Sequence, residues 1–328
     1  MKKVLGIGNA LVDILMQLKD ESVLNQFAFP KGSMQLVDSI MAHKVEEATQ
    51  NYERSQASGG SAANTIHGLA NLGIETGYLG KVGRDHYGEF FRQDMQRMNI
   101  VTQLLESDGA SGRALALISP DSERTFATFL GAAVELTAED LPQELFTGYA
   151  YFHVEGYLVQ NRKLIEEALK RAKSAGLIVS LDLASFNVVE ENLDFLHEMT
   201  DKYVDILFAN EEEAKAYTGE KDDEKALDHM SKKCEIAVLK KGVKGSLIRH
   251  LDKTIKIEVV SAKSIDTTGA GDLYAAGFLY GLLHALPMQK CGQIGALMAA
   301  KVIEVIGPKM DENRWSLIRN EIEKIKLK

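Results

Sequence analysis

The stretch Asp266-Thr-Thr-Gly-Ala-Gly-Asp272, followed by the apolar run 273–286, decides how the rest of the chain is interpreted. An alternating segment, Ile255–Val260, precedes it and predicts a strand. No proline interrupts the segment after it, which has the length of a helix. Gly269 and Gly271 allow a tight turn that exposes backbone N–H groups. Such groups at a helix N-terminus favour an anion, so the stretch predicts an anion site between a strand and a helix.

Asp272 lies in the first turn of the predicted helix, beside this anion site. From the residues alone, two interpretations stay open. The carboxylate can cap the helix, as aspartate often does. Alternatively, it can act as a general base that takes a proton from a hydroxyl attacking a bound phosphate.

The whole string resembles the C-terminal signature of the ribokinase-like (PfkB) family of ATP-dependent sugar and nucleoside kinases. The resemblance extends over essentially the whole chain and implies a single kinase domain, residues 1–328. It implies that Asp272 is the catalytic base. It also implies that the backbone amides of Gly269, Ala270 and Gly271 form an anion hole for the transferred phosphoryl group, and that ATP and Mg²⁺ are required.

Composition limits the classes of partner and the compartment. The chain has 328 residues, 45% of them hydrophobic, which is enough for a substantial core. Its formal net charge of −9 argues against a nucleic-acid partner, because no basic surplus exists to neutralise phosphates. Cys234 and Cys291 show no pairing pattern, and no signal peptide or bilayer-length apolar run is found. We therefore expect a cytoplasmic protein with no membrane partner.

From Gly148 onward, apolar strands alternate with helical patterns. Strands are predicted at Ala150–Val154, Leu177–Leu183 and Val204–Ala209. This rhythm predicts an α/β fold with a doubly wound, mostly parallel sheet. Ligands of such sheets bind beyond the carboxyl ends of the strands. Several polar residues fall at those ends, namely Glu155, Asp182, Asn187, Asn210 and Asp272.

The first part of the chain has strands that do not follow this alternation. They are predicted within residues 11–18, 33–37 and 112–130, and they favour a separate small sheet. The family resemblance implies that this sheet is a lid over the sugar. Arg124, at the second strand of a predicted hairpin, either reaches into the site or stays solvated. The exposed edges of the lid could pair two subunits into a homodimer.

Two motifs in the first 65 residues resemble the family's substrate-binding segments: Asn9-Ala-Leu-Val-Asp13 and Ser58-Gly-Gly-Ser-Ala-Ala-Asn64. Without the resemblance, Asp13 is an exposed hairpin residue and Asn64 an ordinary polar residue of a helix. The resemblance implies that Asp13 accepts hydrogen bonds from two sugar hydroxyls. The full set of substrate-binding residues that we expect is Asn9, Asp13, Gly59, Gly60, Asn64 and Tyr157.

The family's Asn-x-x-Glu motif appears as Asn210 and Glu213, after a predicted strand. It implies ATP binding at Asn210 and a magnesium partner at Glu213, acting through water. An acidic helix start that favours the dipole is the alternative. A further loop, Lys240–Gly245, resembles one that covers the ATP phosphates, although a glycine hairpin turn fits the same residues.

In that loop the ATP-binding residues implied are Lys240, Gly242 and Gly245, with Lys240 where threonine is more usual. Asp266 and Thr268 are candidates for a monovalent cation, K⁺.

Within the family, the motifs resemble those of adenosine kinases most, so phosphorylation of adenosine to AMP is the expected reaction. Glu155 departs from the pattern of animal adenosine kinases, so a free sugar such as fructose or ribose stays open as the acceptor. A Walker A string is absent from the sequence. Gly6-Ile-Gly8 lacks the third glycine of a dinucleotide fingerprint, which disfavours a nicotinamide oxidoreductase. A kinase-shaped binding protein without activity is disfavoured by the intact Asp272 motif.

Overall fold

A computed structural model describes residues 2–121 and 123–327. Its strands, in chain order, are β1 (Val4–Ile7), β2 (Leu11–Gln17), β3 (Met34–Leu36), β4 (Arg54–Gly59), β5 (Thr76–Gly83), β6 (Val101–Ser107), β7 (Gly112–Ile118), β8 (Arg124–Phe129), β9 (Tyr151–Glu155), β10 (Ile178–Asp182), β11 (Ile206–Asn210), β12 (Ile236–Lys240), β13 (Ser246–His250) and β14 (Lys253–Ile257).

The α-helices in the same part of the chain are α1 (Ser22–Gln26), α2 (Ser39–Ala48), α3 (Ser61–Asn71), α4 (His86–Arg97), α5 (Arg162–Ser174), α6 (Phe186–Glu191), α7 (Leu193–Tyr203), α8 (Glu211–Thr218), α9 (Asp223–Ser231), α10 (Ala270–Leu283), α11 (Met288–Val302) and α12 (Glu312–Leu327).

The large sheet has the strand order β14-β13-β12-β11-β10-β9-β1-β5-β6. Its strands pair in parallel from β6 to β12, while β12, β13 and β14 are antiparallel. Helices cover both faces: α3, α10, α11 and α12 pack in one hydrophobic cluster, and α5, α7, α8 and α9 in another. The central strands are buried on both faces, which explains their nearly continuous apolar sequences. The predicted doubly wound, mostly parallel α/β fold is confirmed.

The small sheet has the order β3-β8-β7-β2-β4. Strands β2, β3, β7 and β8 lie in the ranges that the sequence pattern favours. Strand β4 also belongs to this sheet and pairs antiparallel with β2, Leu11 opposite Gly59. Its sequence, Arg-Ser-Gln-Ala-Ser-Gly, carries no apolar alternation, so periodicity could not reveal it.

The strand predicted at Ile255–Val260 exists as β14, but it begins and ends earlier than expected. Strand β14 ends at Ile257, and residues 258–269 form no regular element before α10 begins. Because β14 is the antiparallel edge of the sheet, its alternation reflects one exposed face. The signature therefore enters α10 from a long loop and not directly from a strand.

Helix α10 lies in the core and packs closely along α11. A Cβ atom on Gly277 would lie 2.7 Å from the carbonyl oxygen of Ile294. A Cβ atom on Gly281 would lie 2.8 Å from Cα of Cys291. The two glycines therefore allow α10 and α11 to pack closely. No helix in the described ranges is both long and apolar enough to cross a bilayer.

Candidate active site

A cavity of about 1720 Å³ lies at the carboxyl edge of the large sheet and extends to the small sheet. It is open to solvent, and its lining includes strand ends, the N-terminus of α10 and one face of the small sheet. Of the residues predicted for the site, the lining contains Asn9, Asp13, Gly60, Asn64, Tyr157, Asn210, Glu213, Lys240, Gly242, Gly245, Thr268, Ala270, Gly271 and Asp272. Gly59, Asp266 and Gly269 are not part of this lining.

Asp272 is positioned by helix α3 and not by its own helix. The hydroxyl of Ser61 donates to Oδ1 at 2.7 Å, and Nδ2 of Asn64 donates to Oδ2 at 2.9 Å. The side chain makes no cap bond to α10, so the capping interpretation is wrong. Burial raises the pKa of Asp272 to about 6, although the bonds from Asn64 and Ser61 lower it. A carboxyl of this kind can accept a proton near neutral pH.

The backbone at the start of α10 offers donors, but not the full predicted set. Gly269 precedes the helix with a φ of 77°, in the left-handed region, and a Cβ there would lie 2.7 Å from Cβ of Pro308. The N–H of Ala270 already donates to the carbonyl of Thr267 at 3.1 Å. Within the described ranges, the N–H groups of Gly269, Gly271 and Asp272 have no acceptor. The amide of Asp272 itself is therefore a donor that the motif did not indicate.

The paired glycines make room for neighbouring groups of the protein. A Cβ on Gly59 would collide with the carboxylate of Asp13, which lies across the β2–β4 pair. Gly60 has a φ of 98°, and a Cβ there would collide with the carbonyl oxygen of Asn9. Burial raises the pKa of Asp13 to about 7, and the charge of Lys309 opposes this rise. Asp13 is thus a buried carboxyl in the cavity wall, and not the exposed hairpin residue.

Two buried amide oxygens beside Asp13 have no hydrogen-bond donor among the described residues. They are Oδ1 of Asn9 and Oδ1 of Asn64. Each residue uses its Nδ2, because Asn9 donates to Glu155 at 2.9 Å and Asn64 donates to Asp272. A buried acceptor without a donor is costly, so a ligand rich in hydroxyl groups suits this part of the cavity.

Glu155 organises the surroundings of these asparagines. It is 1% exposed, and its second oxygen accepts from the N–H of Ala62 at 3.1 Å. It therefore orients Asn9 and caps the start of α3, which carries Ser61 and Asn64. Burial raises its pKa to about 7. The sequence indicated Glu155 by its place at a strand end and by its departure from the animal adenosine kinase pattern, but it did not indicate these hydrogen bonds.

Asn210 and Glu213 bind each other at the start of α8. The N–H of Glu213 donates to Oδ1 of Asn210 at 2.9 Å, and the backbone N–H of Asn210 donates to Glu213 at 2.8 Å. Nδ2 of Asn210 donates to the other carboxylate oxygen at 2.7 Å. The pair is a capping box. Burial raises the pKa of Glu213 to about 7, and no cluster of three or more metal-binding side chains occurs in the described ranges.

The loop after β12 is a hairpin turn that also lines the cavity. Gly245 has a φ of 81°, and a Cβ there would collide with the carbonyl oxygen of Ile257. Gly242 also has a positive φ, of 52°. The glycine hairpin turn is therefore confirmed, and the ATP-binding role of this loop stays a prediction. The side chain of Lys240 points elsewhere, because Nζ lies 2.7 Å from Oδ2 of Asp182.

The loop before α10 is tied to the small sheet through Arg124. Its guanidinium lies 2.8 Å from Oδ2 of Asp266 and donates to the hydroxyl of Thr268 at 3.0 Å. Oδ2 of Asp266 also accepts from the N–H of Gly307, and Oδ1 accepts from the N–H and the hydroxyl of Thr268. Arg124 is thus not solvated. Because both oxygens of Asp266 are engaged, the geometry does not support a monovalent cation bound by these two side chains.

Tyr157 lies in the 3-10 helix Gly156–Gln160 and contributes to an apolar part of the cavity. Met34 and Leu36 on β3 and Phe126 on β8 are further apolar residues of the cavity lining. Phe129, three positions further along β8, lies on the opposite face of the strand and is not part of this lining. Phe129 packs instead under the guanidinium of Arg113, 5.3 Å from its ring centre.

The fold and the site define the class first: an α/β phosphotransferase with a carboxylate at the N-terminus of a buried helix. Residues 34–313 match the pfkB family of carbohydrate kinases. The chain therefore belongs to the PfkB family and is a sugar or nucleoside kinase of that family.

Three similar proteins illustrate the range of the family. A nucleoside kinase of Methanocaldococcus jannaschii is 27% identical over 336 residues, covering 99% of this chain and 98% of the relative. The crystal structure of adenosine kinase from Sinorhizobium meliloti is 33% identical with a TM-score of 0.87, covering 98% of this chain and 99% of that one. A probable sugar kinase from Rhizobium etli is 30% identical with a TM-score of 0.88, covering 98% of both chains.

Proposed function

We propose that the protein transfers the γ-phosphoryl group of ATP to the primary hydroxyl of a ribose-containing nucleoside, with adenosine as the main acceptor. The observation that carries this proposal is the placement of Asp272. Its carboxylate is held by Ser61 and Asn64 next to backbone N–H groups of Gly271 and Asp272 that have no acceptor among the residues the structure describes. A base and an anion site are therefore adjacent, as transfer of a phosphoryl group to a hydroxyl requires.

The acceptor sugar binds through hydroxyl groups. The amide oxygens of Asn9 and Asn64, which have no donor among the described residues, are acceptors only, so each matches a hydroxyl donor. The carboxylate of Asp13 accepts from hydroxyl groups when it is ionised. Gly59 and Gly60 keep the wall free of side chains next to them. Glu155 fixes the Asn9 amide, so the acceptors are oriented before the ligand arrives.

The phosphoryl transfer is a displacement at the γ-phosphorus. The acceptor oxygen forms the new P–O bond, the bond to the bridging oxygen breaks, and ADP leaves with that electron pair. Asp272 takes the proton of the hydroxyl. The N–H groups at the start of α10 donate to the phosphoryl oxygens as charge moves across them.

Mg²⁺ fits this site only if phosphate oxygens of the nucleotide supply further ligands. A single carboxylate near the phosphates, Glu213, agrees with an ion that keeps several waters and binds phosphate oxygens. Bound there, the ion would neutralise charge on the phosphates. Asn210 holds the Glu213 carboxylate in place through two donors. We assign the hairpin loop with Gly242 and Gly245, which lines the cavity, to the ATP side of the site.

Adenosine is favoured over a free sugar by the apolar surface around Tyr157. Met34 and Leu36 are 49% and 61% exposed, which is unusual for large apolar residues lining a cavity. A nucleobase stacked there would remove this surface from water, which would stabilise the complex by about 25 cal/mol per Å² of apolar surface. The similarity to the Sinorhizobium meliloti adenosine kinase supports the same choice.

The test is an ADP-release assay with a panel of nucleosides and free sugars at equal concentration. We expect adenosine to give the highest kcat/KM. A preference for ribose, fructose or another free sugar would replace the nucleoside proposal by sugar phosphorylation. A preference for guanosine or inosine would keep the nucleoside class and exclude adenosine as the main acceptor.

A further inference from the structure

The side chain of Lys240 ends beside the N-terminus of α10, away from the hairpin loop that follows it. Lys240 is the last residue of β12 and lies next to Asn210 in the sheet. A Cβ atom placed on Gly271 would lie 3.0 Å from Nζ of Lys240. The ammonium group is therefore adjacent to the backbone N–H groups that face the transferred phosphoryl group.

The ammonium group keeps its charge in this position. Burial lowers its pKa, but the carboxylates of Asp182, Glu213 and Asp272 more than compensate and raise the pKa above its ordinary value. An ammonium has three N–H donors. Within the described ranges, only the one directed at Asp182 has an acceptor. Two charged donors thus remain for a ligand in a cavity that Lys240 lines.

Asp182 fixes the direction of the lysine side chain. Its Oδ2 accepts from Lys240, and its Oδ1 accepts from the N–H of Ala184 at 3.1 Å. Ala184 has a φ of 64°, in the left-handed region that alanine rarely adopts. The turn after β10 therefore holds the Asp182 carboxylate in place, and that carboxylate holds Lys240 extended along the strand ends.

We propose that Lys240 is a further catalytic residue, whose ammonium group binds an oxygen of the transferred phosphoryl group, and that Asp182 is its positioning residue. The proposal rests on the proposed kinase function. Lys240 keeps its proton throughout, because the proton of the acceptor hydroxyl goes to Asp272. Its contribution is fixed positive charge next to a group whose negative charge shifts from the γ-phosphoryl oxygens toward ADP.

A purely structural role makes a different prediction. If Lys240 only neutralises Asp182, its loss weakens the fold and the binding of every nucleotide alike. If it contacts the transferred group, its loss weakens ligands that carry a γ-phosphoryl and leaves ADP binding nearly unchanged. The ratio of the two affinities therefore separates the roles, and it does not depend on turnover.

The experiment measures the dissociation constants of ADP and of the β,γ-imido analogue of ATP by calorimetry with Mg²⁺. The variants are Lys240→Met, Lys240→Arg, Asp182→Asn and, as a matched control, Lys241→Met. Lys241 is the next residue, and its ammonium pairs with Asp223 at 2.7 Å, outside the cavity lining. We expect Lys240→Met to weaken the analogue about tenfold relative to ADP, the effect of one charged hydrogen bond. Lys240→Arg should keep most of the preference for the analogue over ADP.

If Lys240→Met weakens the binding of both nucleotides equally, the ratio of the two dissociation constants stays unchanged and the proposal is overturned. In steady-state assays, Lys240→Met should lower kcat by roughly 10²–10³-fold with little change in the KM of the acceptor. The kcat of Asp182→Asn should lie between the values for Lys240→Met and the unchanged protein. The kcat of Lys241→Met should equal that of the unchanged protein. If the unchanged protein phosphorylates no member of the panel, the proposed function fails, whereas the affinity ratio still decides the role of Lys240.

Discussion

Nδ2 of Asn64 donates to Oδ2 of Asp272 at 2.9 Å, although the two residues are 208 positions apart in the sequence. The bond joins the glycine-rich segment at the start of α3 to the signature at the start of α10. Because Oδ1 of the same asparagine has no donor in the described ranges, Asn64 can touch the base and a substrate hydroxyl at once. In the proposed reaction, substrate binding and proton transfer therefore meet at the side chain of Asn64.

The first prediction concerns Asp272→Asn. Since the amide cannot accept the hydroxyl proton, kcat should fall by roughly 10²–10⁴-fold. The acceptor's dissociation constant, measured by calorimetry, should change far less, because Ser61 and Asn64 can still bond an asparagine. Turnover close to normal would show that another group is the base.

The second prediction concerns the pH profile of kcat/KM. Burial raises the pKa of Asp272 to about 6, so activity should fall as the pH drops through this value and the base becomes protonated. The hydroxyl of Ser61 stabilises the charged form, so Ser61→Ala should move this acid limb to higher pH. Profiles of the two proteins from pH 5 to 8 test this, and superimposable limbs would contradict it.

The third prediction concerns stability without ligands. The pKa of Asp272 in the folded state, about 6, exceeds its ordinary value of 3.8, so the folded protein binds the extra proton and the ionised carboxyl destabilises it above pH 6. Asp272→Asn should therefore raise Tm by a few degrees at pH 8 and by less at pH 5. Asp252→Asn, at an exposed turn, is the matched control. A larger gain at pH 5 would show that the linkage has the opposite sign.

The fourth prediction concerns the metal. Because Glu213 is the carboxylate expected to bind Mg²⁺ through water, Glu213→Gln should raise the Mg²⁺ concentration needed for half-maximal rate while preserving one arm of the capping box. Titration of activity with Mg²⁺ measures this, and thermal unfolding checks that α8 is intact. Full activity in EDTA would exclude a magnesium requirement.

The fifth prediction separates the two faces of β8. Phe126 lines the cavity and Phe129 does not, so Phe126→Ala should raise the KM for adenosine several-fold, while Phe129→Ala should leave it nearly unchanged. The difference follows from about 25 cal/mol per Å² of apolar contact with the base. The ratio of KM values for adenosine and ribose in both variants is the measurement. If the two variants have the same ratio of KM values, the nucleobase of adenosine does not bind against Phe126.

Much of the fold followed from the sequence because buried parallel strands are continuously apolar and glycines mark tight turns. The same holds for the residues brought to the cavity, since polar residues at strand ends meet at one edge of the sheet. The bonding partners could not be predicted in this way. The links from Asp272 to Ser61, from Arg124 to Asp266 and from Lys240 to Asp182 join segments whose relative placement depends on tertiary packing.

The contact between α10 and α11 has a consequence for how damage to the core would be detected. Gly277 and Gly281 leave no space for a methyl group between the two helices. A substitution there would shift α10 along or away from its neighbour, and the carboxylate at its first turn would move with it. Substitutions at these two positions should therefore lower the catalytic rate before they lower the solubility of the protein, because a displacement of about 1 Å already impairs the geometry of the reacting groups.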